Sequence, residues 1–396
     1  MDYINIGFEQ EINENGMVFD VESLYGYLEK LSDVRSRQGR RYELATLVLL
    51  IILAKLGGED SPSGIADWVA YRKGEIEKLI NFPRPETPCH MTFRRVLQFI
   101  IIPDELEKIM SEFHQYRLAD SKEIILTIDG KTVRGTIPAG EMRGTHLLAV
   151  FVPQQGLVLV EAKVDHKENE IVVAPQILEK VNLTGAIIIG DAMHTQRGIS
   201  SQIVEAGGNF IWTVKDNQPR TRWAIEKIFT PQMCYMRDGA TLSAEFQVAA
   251  VVNKGHGRLE KRILFETSLL NEYLDWPHVA QVFRLERMVW FDHGQRSSRQ
   301  ITYGLTSLSP EKASPKKLLT LVRQYWGIEN GLHYRRDVTL NEDRTRLTVG
   351  NAGHNMAILN NLIIGLCAYN GYSNLAKARR LFSAQPAEAL KLILSS

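Results

Sequence analysis

Apolar positions along this chain change rhythm near residue 120 and again near residue 310. Before the first change they keep a helical period. Leu24, Tyr27, Leu28 and Leu31 follow Asp20-Val-Glu-Ser, and Ile65–Tyr71 follows the turn and cap signal Asp60-Ser-Pro-Ser-Gly. Between them Leu44–Leu56 is apolar almost throughout. At about a dozen residues it falls short of the roughly 20 needed to span a bilayer, so it predicts a buried helix. A loop holding Pro83, Pro85 and Pro88 leads to helices opening near Thr92 and at Pro103. Short helices with basic edges, such as Arg35–Arg41 and Arg94-Arg95, suit either a DNA-binding module or a helical cap with solvated arginines.

From Ser121 the texture is that of strands. Glu123–Ile128 is a continuous apolar run ending at Asp129-Gly130. His146–Val152 and Leu157–Val164 are joined by the hairpin signal Pro153-Gln-Gln-Gly156. Glu170–Val181 predicts a helix, Ala186–Gly190 a buried strand ending at Asp191, Gln196–Ala206 a helix, and Phe210–Val214 a strand leading to Lys215. The order β-β-β-α-β-α-β predicts an α/β fold with a mixed five-stranded sheet flanked by helices. Placed side by side and parallel, the first and fourth strands would deliver Asp129 and Asp191 to neighbouring strand ends, where open α/β sheets build sites. Residues 220–310 alternate apolar and polar positions and predict a β-rich insertion, with Pro310–Pro315 as the re-entry loop. The expected division is therefore 1–120 helical, 121–219 first part of the core, 220–310 insertion, 311–380 second part of the core, and 381–396 a tail helix.

Composition narrows the setting more than the chemistry. A chain of 396 residues exceeds one ordinary core. Lys plus Arg number 47 against 46 Asp plus Glu, so any nucleic-acid role must come from local patches. Cys89, Cys234 and Cys367 form no CxxC pair, which argues against a disulfide framework or a zinc site and suits a reducing cytoplasm. Asp2, Glu9 and Glu11 and the lack of an apolar core there predict no signal peptide and no membrane role.

The richest stretch is Leu319–Arg346. On a helical period Tyr325, Trp326, Glu329, His333 and Arg336 share a face that continues Leu318, Leu319 and Val322. A carboxylate on such a face needs a partner, because isolated buried charge is costly or neutralised. A divalent metal shared by Glu329, Asp129 and Asp191 would supply it. Plainer readings stand beside this one: Asp129 as a strand-to-turn residue, Asp191 as a helix cap, and Glu342 in place of Glu329.

Six fragments together are similar to one family. They are Asp129-Gly-Lys-Thr-Val-Arg-Gly-Thr136, Lys167-Glu-Asn-Glu-Ile171, Gly190-Asp-Ala-Met-His-Thr-Gln196, Val214-Lys-Asp-Asn-Gln218, Gly255-His-Gly-Arg-Leu-Glu260 and Tyr325-Trp-Gly-Ile-Glu-Asn-Gly-Leu-His-Tyr334. In this order, over almost the whole chain, they resemble the H-repeat-associated DDE transposases of bacterial insertion sequences. The resemblance implies an RNase H-like catalytic core, an N-terminal family-associated domain, and strand cleavage and transfer at element ends. It implies Asp129, Asp191 and Glu329 as the catalytic and metal-binding acids, with Mg²⁺ or Mn²⁺ bound as two ions per site. Tyr325 and Tyr334 stand where a histidine and a tryptophan are expected, and Arg336 where related groups often carry lysine.

That chemistry asks for cations near phosphates. Lys131, Arg134 and Lys215 lie just past strand ends; Arg323, Arg335 and Arg336, with Arg344 and Arg346, surround the third acid. His256 and Arg258 sit in a Gly-flanked loop of the insertion, and Asn330 and His333 would orient the acid or the DNA. Trp212, Trp223 and Trp326 are either base-stacking platforms or, more commonly for tryptophan, core residues. The expected partners are double-stranded DNA with terminal inverted repeats, target DNA, and a second copy of the chain on paired ends. A domesticated nuclease, or a DNA-binding protein with a decayed core, are the competing expectations.

Overall fold

The computed structural model describes residues 10–394 apart from 14–16, 79, 81–84, 119–122, 143, 166–167, 231–233, 235–241, 256 and 292–295. Pro83, Lys167 and His256 therefore lie outside the described residues. The helical rhythm of the first third becomes α1 (Leu24–Leu28), α2 (Leu44–Leu56), α3 (Pro62–Tyr71), α4 (His90–Arg95) and α5 (Pro103–Leu118). Ser23 and Ser61 cap α1 and α3 by accepting the amide hydrogens of Gly26 and Gly64, as the sequence signals predict. Every residue of α2 is buried, including Lys55, whose ammonium pairs with Asp60 at 3.2 Å. No helix among the described residues is long and apolar enough to cross a membrane.

A nine-stranded mixed sheet follows: β1 (Ile125–Val133), β2 (Thr145–Val152), β3 (Leu157–Val164), β4 (Ile187–Gly190), β5 (Asn209–Val214), β6 (Gln247–Gly255), β7 (Arg258–Thr267), β8 (Gln281–Phe291) and β9 (Arg296–Thr306). Its order is β3-β2-β1-β4-β5-β9-β8-β7-β6. The five expected core strands are present, with β1 parallel to β4 and β4 parallel to β5. The insertion does not stand apart as a separate β-rich body. Its strand β9 pairs with β5 from Tyr303↔Val214 to Thr306↔Ile211, so β6–β9 prolong the core sheet. Alternation along a strand reveals which face is buried, but not which distant strand it will join.

Helices α6 (Glu170–Leu178), α7 (Arg197–Glu205) and α8 (Pro219–Ile228) pack on one face, against Leu126, Ile128, Ile188 and Trp212. On the other, α9 (Pro315–Gln324) lays Leu318, Leu319, Leu321 and Val322 on Ile125, Ile187, Ile189 and Ile211. Beyond it α10 (Ala352–Tyr369), α11 (Leu375–Ala384) and α12 (Pro386–Leu394) return to the first third of the chain. They complete one core with α1–α5 that reaches the sheet at Phe151 and Val158.

Candidate active site

Strand alternation fixes the first two acids. Ile125 in β1, with Ile187 and Ile189 in β4, faces α9, and side chains two residues apart share a face. Pairing between these strands ends at Ile128↔Gly190, so Asp129 and Asp191 come next, on the α9 side of adjacent parallel strands. Both are flanked by glycines that permit close approach. A Cβ on Gly130 would collide with the Glu170 carboxylate, and one on Gly190 would lie 2.6 Å from the Trp212 ring. Asp191 also caps the short turn after it, Oδ1 accepting the Met193 amide hydrogen at 2.8 Å.

The third acid arrives on a distorted helix. After α9 and the short helical turn Trp326–Ile328, two wider π turns follow, Glu329–His333 and Arg335–Thr339. Such turns re-aim side chains and are frequent at functional sites. Carboxylate oxygens of Asp129 and Glu329 and a ring nitrogen of His333 all lie within 4.8 Å of one another. His333 Nδ1 is 3.6 Å from Asp129 Oδ2 and 3.7 Å from Glu329 Oε2. Burial, then the charges of Asp129, Asp191 and Glu329, raise the pKa of the Tyr325 hydroxyl, which places it beside these acids. Trp326, before these turns, is 52% exposed, so the expected common face is not uniformly buried.

The electrostatics of this cluster are those of acids lacking a cation. Burial, then the charges of Glu329, Glu170 and Asp191, push the Asp129 carboxyl up to about 7. His333 goes the other way: burial, with Arg336 and Lys131 nearby, brings it down to about 3, so its imidazole is neutral at ordinary pH. Among the described residues no lysine or arginine forms an ion pair with Asp129, Asp191 or Glu329. Two carboxylates and a neutral imidazole in this geometry fit a divalent metal. The oxygens suit Mg²⁺ or Mn²⁺, and an imidazole ligand would favour Mn²⁺ over Mg²⁺.

Behind Asp129 lies an acid with a different arrangement. Glu170, at the start of α6, sits 2.8 Å from His146 Nε2 and 3.2 Å from His194 Nε2. Burial alone would raise its carboxyl, but the two histidines outweigh burial and hold it down at about 2. His146 Nδ1 in turn is 2.8 Å from Thr132 Oγ1. Sequence reading gave Glu170 no role, although it falls in the Lys167–Ile171 fragment and His194 in the Gly190–Gln196 fragment.

The expected DNA contacts separate into available and engaged groups. Arg134 is 79% exposed along its side chain; Lys215, Arg258 and Arg323 are also exposed. Arg258 and Arg323 share a pocket of about 360 Å³ with Arg262, Arg287 and Trp326. Lys131 is engaged, its ammonium 2.7 Å from Asp337 and 10% exposed. Arg335 is half-buried and donates to the Ser373 carbonyl at 3.4 Å. Asn330 is exposed and donates to the Trp326 carbonyl at 2.9 Å.

Arg336 corrects the expectation outright. It is fully buried, 2.6 Å from Glu161 in β3 and 2.8 Å from Glu342, so no phosphate can reach it. Burial would lower its pKa, but these two carboxylates raise it instead. The same ion pair removes Glu342 as the alternative third acid: it is 4% exposed and also accepts from Asn360 Nδ2 at 2.8 Å. Of the tryptophans, Trp212 is core, donating to Ser200 Oγ at 2.9 Å, while Trp223 and Trp326 are exposed.

Comparison with known proteins adds independent findings. A family profile described as "Transposase DDE domain" matches residues 120–366, and one described as "DDE_Tnp_1-associated" matches residues 25–114. The "H repeat-associated putative transposase YhhI" of Escherichia coli K12 is 26% identical over 357 residues, covering 88% of this chain and 90% of that protein. The "Putative transposase YncI" of Escherichia coli O157:H7 is 27% identical over 354 residues, covering 87% of each. Among solved structures, the piggyBac transposase synaptic complex with hairpin DNA aligns over 92% of this chain and 75% of its own, at 10% identity and a TM-score of 0.41, which carries no weight here.

Proposed function

This chain belongs to the transposase DDE domain family, and on that premise we propose that it cuts phosphodiester bonds at the ends of a mobile element and joins the freed 3′-hydroxyl to target DNA. The carrying observation is that Asp129 and Asp191 leave neighbouring parallel strands while a π turn sets Glu329 and His333 against Asp129. Asp129, Asp191 and Glu329 would hold two divalent ions, Mg²⁺ or Mn²⁺, which supply charge relief at the leaving oxygen and a more acidic water.

The chain's own groups do the rest. Tyr325, whose hydroxyl lies beside the acids and stays protonated, offers a neutral donor next to Asp129. Neutral His333 has a lone pair to offer at ordinary pH, as ligand or acceptor. Arg134, Lys215, Arg258 and Arg323 bind phosphates, giving affinity without reading sequence. Asn330, beside Arg258 and Arg323, keeps the DNA close to the third acid. Two element ends must be held together for joining, so a pair of chains on terminal inverted repeats is the expected working assembly, acting on DNA in the cytoplasm.

The test is nicking of a labelled terminal repeat by the full chain with Mg²⁺ or Mn²⁺, followed by joining of pre-cut ends to a target plasmid. Nicking and joining that both vanish in Asp129→Ala, Asp191→Ala and Glu329→Ala support the reading. Full activity in any of the three rejects it, and nicking without joining assigns a nuclease.

A further inference from the structure

Glu266 stands apart from the other buried acids of the insertion. Glu260 and Glu286, on the neighbouring strands β7 and β8, each pair with two arginines: Arg262 and Arg287 for the first, Arg284 and Arg299 for the second. Glu266, near the end of β7, is 1% exposed, and neither carboxylate oxygen has a hydrogen-bond partner. Its register neighbours Phe283 and Gln247 put it on the face that carries Leu264 and α9. With nothing to offset burial, the carboxyl is pushed up to about 8. Neutralising it does not remove the problem, since a buried carboxylic acid still needs partners for both oxygens.

The group lines a pocket of about 290 Å³ with Glu245, Gln247, Ser268, Gln281 and Pro310. Among the described residues no lysine, arginine or histidine lines it. Gln281 Nε2 is already committed to the carbonyls of Leu308, at 2.8 Å, and Ala313, at 3.2 Å, which leaves the amide oxygen for a ligand. The donor set is therefore carboxylate, amide and hydroxyl oxygen, without sulfur or imidazole. Hard cations choose such sets.

We propose that this pocket is a structural site for a hard divalent cation of the Ca²⁺ type, held by the carboxylates of Glu266 and Glu245 with oxygens of Gln247, Gln281 and Ser268. The site lies three strands across the sheet from β5 and is separate from the Asp129 cluster. Its role follows from Gln281. The carbonyls that Gln281 already holds, Leu308 and Ala313, lie in the segment leading into α9, which begins at Pro315. A bound ion therefore braces the base of the insertion against the start of the helical segment that presents Glu329.

The experiment uses the full chain carrying Asp129→Asn, Asp191→Asn and Glu329→Gln, so that the proposed catalytic acids cannot contribute. Ca²⁺ alone is titrated while thermal melting is followed. The expected result is a saturable Tm rise of a few degrees that Glu266→Gln abolishes, with circular dichroism showing that the variant is folded. If Glu266→Gln does not fold, the exposed Glu245→Gln must shift the Ca²⁺ half-saturation several-fold upward. An unchanged Tm, a rise that survives Glu266→Gln, or stabilisation by methylguanidinium but not by Ca²⁺ overturns the proposal. The background lacks catalytic acids, so none of these outcomes depends on whether the chain transposes DNA.

Discussion

Seven residues separate Glu329 from Arg336, yet the two ends of that short stretch treat charge in opposite ways. Around Glu329, Asp129 and a neutral histidine gather, with Asp191 at the neighbouring strand end, and among the described residues no lysine or arginine pairs with these acids. Around Arg336, the carboxylates of Glu161 and Glu342 and the amides of Asn360 and Asn361 form a buried network that leaves Arg336 Nη2 and Asn360 Oδ1 without a partner among the described residues. A buried charge network is tolerable when its charges are paired, and costly when one member is removed. The first cluster is thus shaped for something that comes and goes, the second for permanence. The second also anchors the first, because Arg336 ties the π turns to β3 and to the exit at Glu342.

Four experiments would break or sharpen that contrast. The largest effect belongs to the open cluster. Asp129→Ala should abolish Mg²⁺-dependent nicking of a terminal repeat while leaving the melting temperature of metal-free protein unchanged or higher; a parallel collapse of stability would mean that Asp129 is structural. Next, Arg336→Met strands Glu161 and Glu342 and should cost about 3–5 kcal/mol in urea unfolding. Retention of wild-type stability there would show that the network is not the anchor described. Tyr325→Phe removes a neutral hydroxyl beside Asp129, the proposed metal ligand, and should weaken Mn²⁺ binding by about 10–100-fold, read by calorimetry, with little change in unfolding.

The smallest effect is a pH slope. Asp129 has an ordinary value of 3.8 and is held at about 7 in the folded chain. Between these values the folded protein keeps a proton that the unfolded chain has released, so stability falls as pH rises through the window. The slope from this one group is at most about 1.4 kcal/mol per pH unit without metal. Asp129→Asn should flatten the metal-free profile between pH 4 and 7. Glu170 works in the opposite sense at lower pH: its contribution is present above about 4.5 and is lost as pH falls toward about 2. A profile that Asp129→Asn leaves unaltered would contradict the burial and repulsion assigned to that acid.

The sequence made some of this legible and hid the rest for physical reasons. Short β-branched runs ending at Asp129 and Asp191 were readable because a continuous apolar run is a local signal; the parallel pairing that brings them together is a long-range feature, supposed from the element order and present in the sheet. The apolar run in α2 was readable for the same reason. Arg336 was misread because its partner Glu161 lies 175 residues earlier, and nothing in a basic stretch distinguishes a buried arginine from a phosphate-binding one. The π turns after Ile328 were invisible to a 3.6-residue period, and the exposure of Trp326 before them depends on which neighbours cover that face in space. The edge-on joining of the insertion to β5, and the histidines clasping Glu170, are products of long-range pairing that one-dimensional spacing does not encode.

The return of α10–α12 to the first helices bears on how the protein is made. Leu47 to Leu53 in α2 share a core with Phe382, Leu390 and Ile393, which are synthesised only after the whole sheet. The nascent chain must therefore carry an oily helix with an unfinished surrounding until α11 and α12 have emerged, which invites chaperone capture. A copy of the gene cut short by a late stop codon would yield a product with that helix uncovered, prone to aggregate and be degraded even though its acids are intact.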